Sequence, residues 1–246
     1  MKKIGTVILA AGMGRRLGLG VKALVPVGGK PLIDHLLQKS GEDVIVYTSR
    51  ATHDPIQAYV KDRALFLQEM GGEEFPLGNG TLYSSLCASP LFKMWIDQGI
   101  ERISVVPIDN PLADPLIPGL LQGDLAVCGV MKTSPLEKMG SIIEEGGRLK
   151  IVEYSELSEE MRLKYLLGYS GVFSANINFF LRAGEIELPW HSVVRGGRVY
   201  QEKYIFDAFG VADSPKVVIC DRKSHFCPIK EQSDIALAEE NLYNLS

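Results

Sequence analysis

Residues 7 to 18 read VILAAGMGRRLG, an apolar run followed by glycines at 12, 14 and 18, with Arg15 and Arg16 between the last two. A strand that ends in such a loop turns a row of backbone N–H groups toward an incoming anion, and no side chain blocks its approach at the glycines. The two arginines add fixed forks of donors suited to polyphosphate oxygens. The spacing departs from the dinucleotide pattern GxGxxG at its third glycine, and no GK[ST] follows as in a P-loop. A glycine-rich turn with solvated arginines is the alternative for GxG alone. The context AAGxGxRxG, with Lys22 and PVGGKPLI after it, favours phosphate. No Ser-His-Asp arrangement accompanies the loop: His35, His53, His191 and His225 are scattered and read as structural or surface groups. The cysteines at 87, 128, 220 and 227 form no CxxC pair and read as reduced, partly buried thiols.

The elements that must position this loop follow from composition and pattern. The 246 residues carry 26 Lys and Arg against 30 Asp and Glu, a net charge of −4, with 46% hydrophobic and 23% charged residues. That is an ordinary soluble globular balance, and a chain of this size needs neither disulfides nor a structural metal to hold its core. The charge argues against nucleic acid and anionic membranes as partners, while a small anion can still be held by local charge. The start resembles a signal peptide, but its apolar run from Ile4 to Ala11 contains Gly5 and Thr6 and leads into the glycine loop; it reads as a strand. No run approaches a membrane span, so the expected location is the cytoplasm. Short β-branched runs over 5–10, 43–48, 65–68, 103–107, 125–130, 141–144, 149–153, 168–173 and 216–220 read as strands. Helical patterns lie over 31–39, 55–61, 80–87, 91–98, 117–122, 175–182, 203–209 and 231–243. This predicts an α/β fold with a mixed, mainly parallel central sheet flanked by helices. The runs on either side of 145–147 predict a hairpin, and hence a small β insertion. No linker divides the chain, which reads as a single catalytic domain over 1–246, and 184–199, containing WHSVVRGG, reads as a surface loop.

In this order along the chain, LQEM at 67–70, PLGNGTLYSSL at 76–86, VVPIDNPLADP at 105–115, EKMG at 137–140, VEYSEL at 152–157, SANINFF at 174–180, EKYIFDAF at 202–209 and FCPIK at 226–230 follow the glycine loop. The set resembles the UDP-sugar pyrophosphorylases, and within them the UDP-N-acetylhexosamine pyrophosphorylases; the glycine motif alone is shared with other nucleotidyltransferases. The resemblance implies a Rossmann-like nucleotidyltransferase fold. The implied activity is a uridylyltransferase that makes a UDP-sugar and pyrophosphate from UTP and a sugar 1-phosphate, GlcNAc-1-phosphate being favoured over glucose 1-phosphate. It further implies that Ala10, Ala11, Gly12 and Gly14 hold the nucleotide through backbone amides, Gln68 meets the uracil, and Gly78 and Asn79 approach nucleotide and sugar. Asp109 would hold Mg²⁺. Gly140, Glu153 and Asn176 would contact the sugar. Tyr204 and Phe206 would line its pocket, or equally serve as core. Arg15 or Arg16, Lys22 and Lys230 would neutralise the β,γ-phosphates, the α-phosphate and the sugar phosphate respectively. Two departures stand out: Val21 precedes Lys22 where the family has proline, and Glu231 follows Lys230 where it prefers asparagine. Relatives add segments outside the loop and the last lysine, so this chain is expected to be close to the catalytic core alone, without a separate C-terminal domain, as a monomer or weak homo-oligomer. The rival readings are a CTP- or GTP-using nucleotidyltransferase and a nucleotide-sugar-binding regulator without catalysis.

Overall fold

The computed structural model describes residues 3–69, 77–195 and 197–245. Its strands, in chain order, are β1 (Lys3–Leu9), β2 (Pro26–Val27), β3 (Lys30–Pro31), β4 (Val44–Thr48), β5 (Leu65–Gln68), β6 (Ile100–Pro107), β7 (Leu125–Met131), β8 (Ser141–Glu145), β9 (Arg148–Val152), β10 (Leu167–Asn176), β11 (His191–Arg195), β12 (Arg198–Glu202) and β13 (Pro215–Ile219). The helices are α1 (Leu32–Leu37), α2 (His53–Val60), α3 (Leu82–Cys87), α4 (Pro90–Asp97), α5 (Glu159–Lys164), α6 (Ile177–Glu185), α7 (Arg222–His225) and α8 (Ser233–Leu245).

The main sheet runs β13-β7-β10-β6-β1-β4-β5. Strands β5, β4, β1 and β6 are parallel, as are β7 and β13, while β10 runs against both β6 and β7. The central strands are apolar on both faces because helices cover both. Successive residues Val7 and Ile8 are fully buried on opposite sides. Val7 joins Tyr83, Trp95, Phe173, Phe179 and Phe180. Ile8 joins Leu32, Leu36, Ile56, Val60 and Ala238. The expected hairpin forms: β8 pairs with β9 from Ser141↔Val152 to Glu145↔Arg148. Its turn is Gly146–Gly147 with both φ positive, the backbone that matches the twist of the two strands. The hairpin hangs from β10 at Gly168↔Ser141.

Three expectations are corrected. The 184–199 stretch is not simply a loop: HSVVR and RVYQE pair as the ribbon β11–β12, from His191↔Glu202 to Arg195↔Arg198, as β-branched Val193, Val194 and Val199 allow. The pattern over 203–209 is a tight 3-10 turn beginning only at Ile205, because Tyr204 and the residue before it are extended along another segment. Of the four cysteines, Cys128 and Cys220 form a disulfide with Cα atoms 6.2 Å apart, since β7 and β13 are neighbours; Cys87 and Cys227 are free. Among the described residues no helix is long and apolar enough to cross a membrane.

Candidate functional site

The chain leaves β1 to reach β4 on one side, and later returns as β6 on the other, so the strand order reverses between β1 and β6. In open α/β sheets the crevice beyond the carboxyl ends of two such strands is where ligands bind. Here it is bounded by the glycine loop after Leu9 and by Ile108–Asn110 after Pro107, the two strand ends being paired Leu9↔Pro107. The glycine loop is held from below. Thr52 Oγ1 donates to the Ala10 carbonyl at 3.0 Å and Ser49 Oγ to the Ala11 carbonyl at 2.8 Å. Gly12 has open space where a Cβ would lie. Gly14 has φ +63°, and a Cβ there would sit 2.8 Å from Lys22 Cβ, so glycine is required both by the backbone and by the lysine against it. Arg15 and Arg16 follow on an exposed 3-10 turn.

Lys22 closes the crevice from the side. Its Nζ lies 3.7 Å from Asp109 Oδ2 and donates to the Ile229 carbonyl at 3.0 Å. Ile229 N in turn donates to the Asp109 carbonyl at 2.7 Å. Three segments separated by more than 80 residues thus meet at one point, and Val21 in place of proline does not keep Lys22 away from it. The 225–231 strap is tied down by Asn110, which is fully buried. Its Nδ2 donates to the His225 carbonyl at 2.8 Å and its Oδ1 accepts from Cys227 N at 3.0 Å. At the far end of the strap the Asp234 carboxylate accepts from Lys230 N and Glu231 N, both at 2.8 Å. Lys230 Nζ reaches the Lys138 carbonyl at 3.4 Å, toward Gly140. Glu231 therefore serves the start of α8 through its backbone. Gln232 Nε2 donates to the Leu17 carbonyl at 2.8 Å and closes the circuit back to the glycine loop.

A second group of candidates lies on the side of the β8–β9 hairpin. A Cβ on Gly140 would come 3.7 Å from Glu153 Oε1, and burial, before the nearby Glu156, pushes the Glu153 carboxyl up. Tyr204 and Phe206 have ring centroids 5.1 Å apart; Phe206 also packs edge-on to Tyr169 at 6.4 Å and belongs to the core. The GNG motif reaches this wall through the backbone. Lys203 N donates to the Leu77 carbonyl at 2.8 Å, Gly80 N to the Lys203 carbonyl at 2.9 Å, and Ile205 N to Asn79 Oδ1 at 2.9 Å. Gly78 has φ +99°, and a Cβ there would fall 2.7 Å from Lys203 N. Gly78 and Asn79 thus clasp the 203–205 segment. Gln68 ends β5 with its side chain exposed, on the same sheet edge as the glycine loop.

Asn176 is not part of the site. It is paired with Arg102, at the start of β6, about five strand residues or roughly 17 Å from the crevice, and its Oδ1 accepts from Phe179 N at 2.8 Å as the cap of α6. The antiparallel sense of β10 carries it to the opposite edge of the sheet. Residues unforeseen from the sequence include Asn110, Ser49, Thr52 and Glu69. Glu69 is 6% exposed. Its Oε1 accepts from Leu77 N at 2.7 Å and Thr81 Oγ1 at 3.1 Å, and its Oε2 has no partner among the described residues. Burial pushes its carboxyl up to about 7. His191, read as structural or surface, stands between Glu156 and Asp207. Among the described residues no three His, Cys, Asp or Glu side chains gather to hold a metal.

A family model described as MobA-like NTP transferase domain matches residues 6–122, which contain the glycine loop, Lys22 and Asp109. The chain is 28% identical over 288 residues to "Probable UDP-N-acetylglucosamine pyrophosphorylase" of Encephalitozoon cuniculi, with 95% of this chain and 82% of that protein covered. Its fold matches the uridine diphosphate N-acetylglucosamine pyrophosphorylase from Trypanosoma brucei, at TM-score 0.77 and 19% identity over 96% of this chain and 64% of that one. It also matches a mutant UDP-glucose pyrophosphorylase from Leishmania major in complex with UDP-Glc, at TM-score 0.77 and 18% identity over 96% and 65%. With its motifs in the same order over almost its whole length, the chain is a nucleotidyltransferase similar to the UDP-sugar pyrophosphorylases.

Proposed function

We propose that the chain transfers the uridylyl group of UTP to a sugar 1-phosphate, with GlcNAc-1-phosphate as the preferred acceptor. The observation that carries the reading is the meeting of Gly14, Lys22, Asp109 and the Ile229–Lys230 strap at the switch point between β1 and β6. A sugar-phosphate oxygen attacks the α-phosphorus of UTP, the new P–O bond forms in line with the bond that breaks, and pyrophosphate leaves. The phosphate nucleophile is already ionised at neutral pH, so the protein supplies position and charge neutralisation rather than a base. The amides from Ala10 to Gly14 cradle the triphosphate, Arg15 or Arg16 reaches its β,γ end, Lys22 faces the α-phosphate, and Lys230 the phosphate of the acceptor. Gln68 pairs the uracil edge, while the Gly78–Asn79 clasp sets the distance between nucleotide and sugar. Gly140 leaves room for the sugar beside Glu153, whose carboxyl pairs hydroxyls, and Tyr204 with Phe206 forms the apolar wall.

Asp109 fits a Mg²⁺ site of the kind completed by substrate: one half-exposed carboxylate at the crevice mouth, with phosphate oxygens and water for the remaining ligands. When bound there, the ion would neutralise phosphate charge. The test is Mg²⁺-dependent release of pyrophosphate from UTP with GlcNAc-1-phosphate, with glucose 1-phosphate and CTP as comparisons. Turnover with GlcNAc-1-phosphate exceeding that with glucose 1-phosphate is the expected result. Equal or greater turnover with glucose 1-phosphate would reassign the sugar, and none with UTP would overturn the reading.

A further inference from the structure

We propose that His191 is a positioning residue for the acceptor sugar, holding the aromatic wall and the Glu153 turn in one fixed arrangement; this rests on the uridylyltransferase reading. His191 opens β11, and its ring stacks on Tyr204 with centroids 4.4 Å apart and planes 26° apart. Its Nε2 lies 2.8 Å from Asp207 Oδ2 and its Nδ1 3.5 Å from Glu156 Oε1. One side chain therefore joins the VEYSEL turn to the ribbon and to the 203–207 segment that follows it.

Each contact has a consequence for a sugar-side residue. Glu156 N donates to the Glu153 carbonyl at 3.0 Å, so Glu156 and Glu153 are the two ends of one turn. Fixing Glu156 fixes where Glu153 presents its carboxyl. Tyr204 stands between the His191 ring on one side and Phe206 on the other, and the GNG clasp holds the same segment by its backbone. The clasp sets the strap along its length; His191 sets the rotation of the tyrosine. The Asp207 contact is the stronger of the two carboxylate contacts, since that side chain is 16% exposed against 51% for Glu156 and burial strengthens a hydrogen bond. Burial raises the Asp207 carboxyl and His191 opposes the rise, so the pair holds together what burial alone would loosen. His191 itself touches neither the glycine loop nor Lys22, which separates its effect from that of the phosphate-binding residues.

The experiment is calorimetric titration of UDP and of UDP-GlcNAc, both with Mg²⁺, into the wild type, His191→Ala and His191→Gln. The wild type is expected to bind UDP-GlcNAc more tightly than UDP. In His191→Ala the UDP-GlcNAc affinity falls about tenfold or more, on the scale of a lost specificity contact, while UDP affinity stays within about twofold. His191→Gln retains a donor toward Asp207 and recovers part of the loss. In turnover the same split is a raised KM for GlcNAc-1-phosphate with KM for UTP little changed. Should the alanine variant not fold, Asp207→Asn gives the same reading. A wild type that binds neither UDP nor UDP-GlcNAc would overturn the uridylyltransferase reading instead, and one that binds both equally would overturn GlcNAc as the acceptor that His191 positions. A wild-type gain that survives intact in His191→Ala, or an equal loss of UDP and UDP-GlcNAc binding, would overturn the role of His191.

Discussion

Lys22 occupies the most constrained position in the crevice. It is 13% exposed and lies against Asp109 and the Ile229 carbonyl at once, with Gly14 behind it. A charge so placed has little freedom to lose when a triphosphate arrives, which is the condition under which a fixed donor lowers a barrier. Lys22→Ala is expected to lower kcat by roughly 10²–10³-fold, with UTP affinity changed much less, because the glycine-loop amides and the arginines remain. Steady-state kinetics beside direct UTP binding separates the two, and unchanged turnover would show that another group faces the α-phosphate. Lys22 was legible in the sequence as a lysine following a phosphate loop. That it meets Asp109 was not, because the contact joins residues 87 positions apart and no local pattern encodes it.

The element that organises the site is the 225–231 strap. Beyond His225, the end of α7, it has no regular structure of its own, and its backbone is held by Asn110 at one end and Asp234 at the other. Removing the Asn110 side chain leaves buried backbone groups of the strap without partners, at about 1–3 kcal/mol. Asn110→Ala should therefore lower the urea midpoint and raise KM for the acceptor more than KM for UTP; a variant that loses stability alone would place Lys230 outside the acceptor side. The helical pattern over 231–243 marks α8 in the sequence, but does not show that Asp234 reaches back to Lys230 N. Other elements were misread for the same reason. The valines of HSVVR mark a strand only once a partner is known, and Asn176 enters the site by resemblance alone, since SANINFF carries no sign that β10 runs antiparallel. The central parallel strands β1, β4 and β6 are legible because each carries a continuous buried run, a property of the strand itself.

At the scale of the molecule, two sets of perturbed carboxyl groups stand apart among the described residues. Those along the binding edge, Glu69, Glu153 and Asp207, are raised chiefly by burial. Those that tie the scaffold, Asp34, Asp124 and Glu137, are lowered because the hydrogen bonds and charges of their partners outweigh burial. The two sets act oppositely on stability. For Glu69 the folded value of about 7 exceeds the ordinary 4.5. Its contribution is thus fully present below about pH 4.5 and lost as pH rises through about 7, a loss of at most about 3 kcal/mol. Urea unfolding at pH 5 and pH 8 should show the wild type losing stability over that interval relative to Glu69→Gln; parallel changes in both proteins would assign the slope to another group. Finally, β10 alone runs against the parallel strands beside it, so the end that enters the sheet next to the glycine-loop edge is the end that carries the β8–β9 hairpin. The hairpin is consequently joined to the ladder of the main sheet through β10, at Gly168↔Ser141. Because β1 and β6 pair with neither β8 nor β9, a change in the length of the hairpin leaves their register in place, and the two ends of the crevice can vary independently.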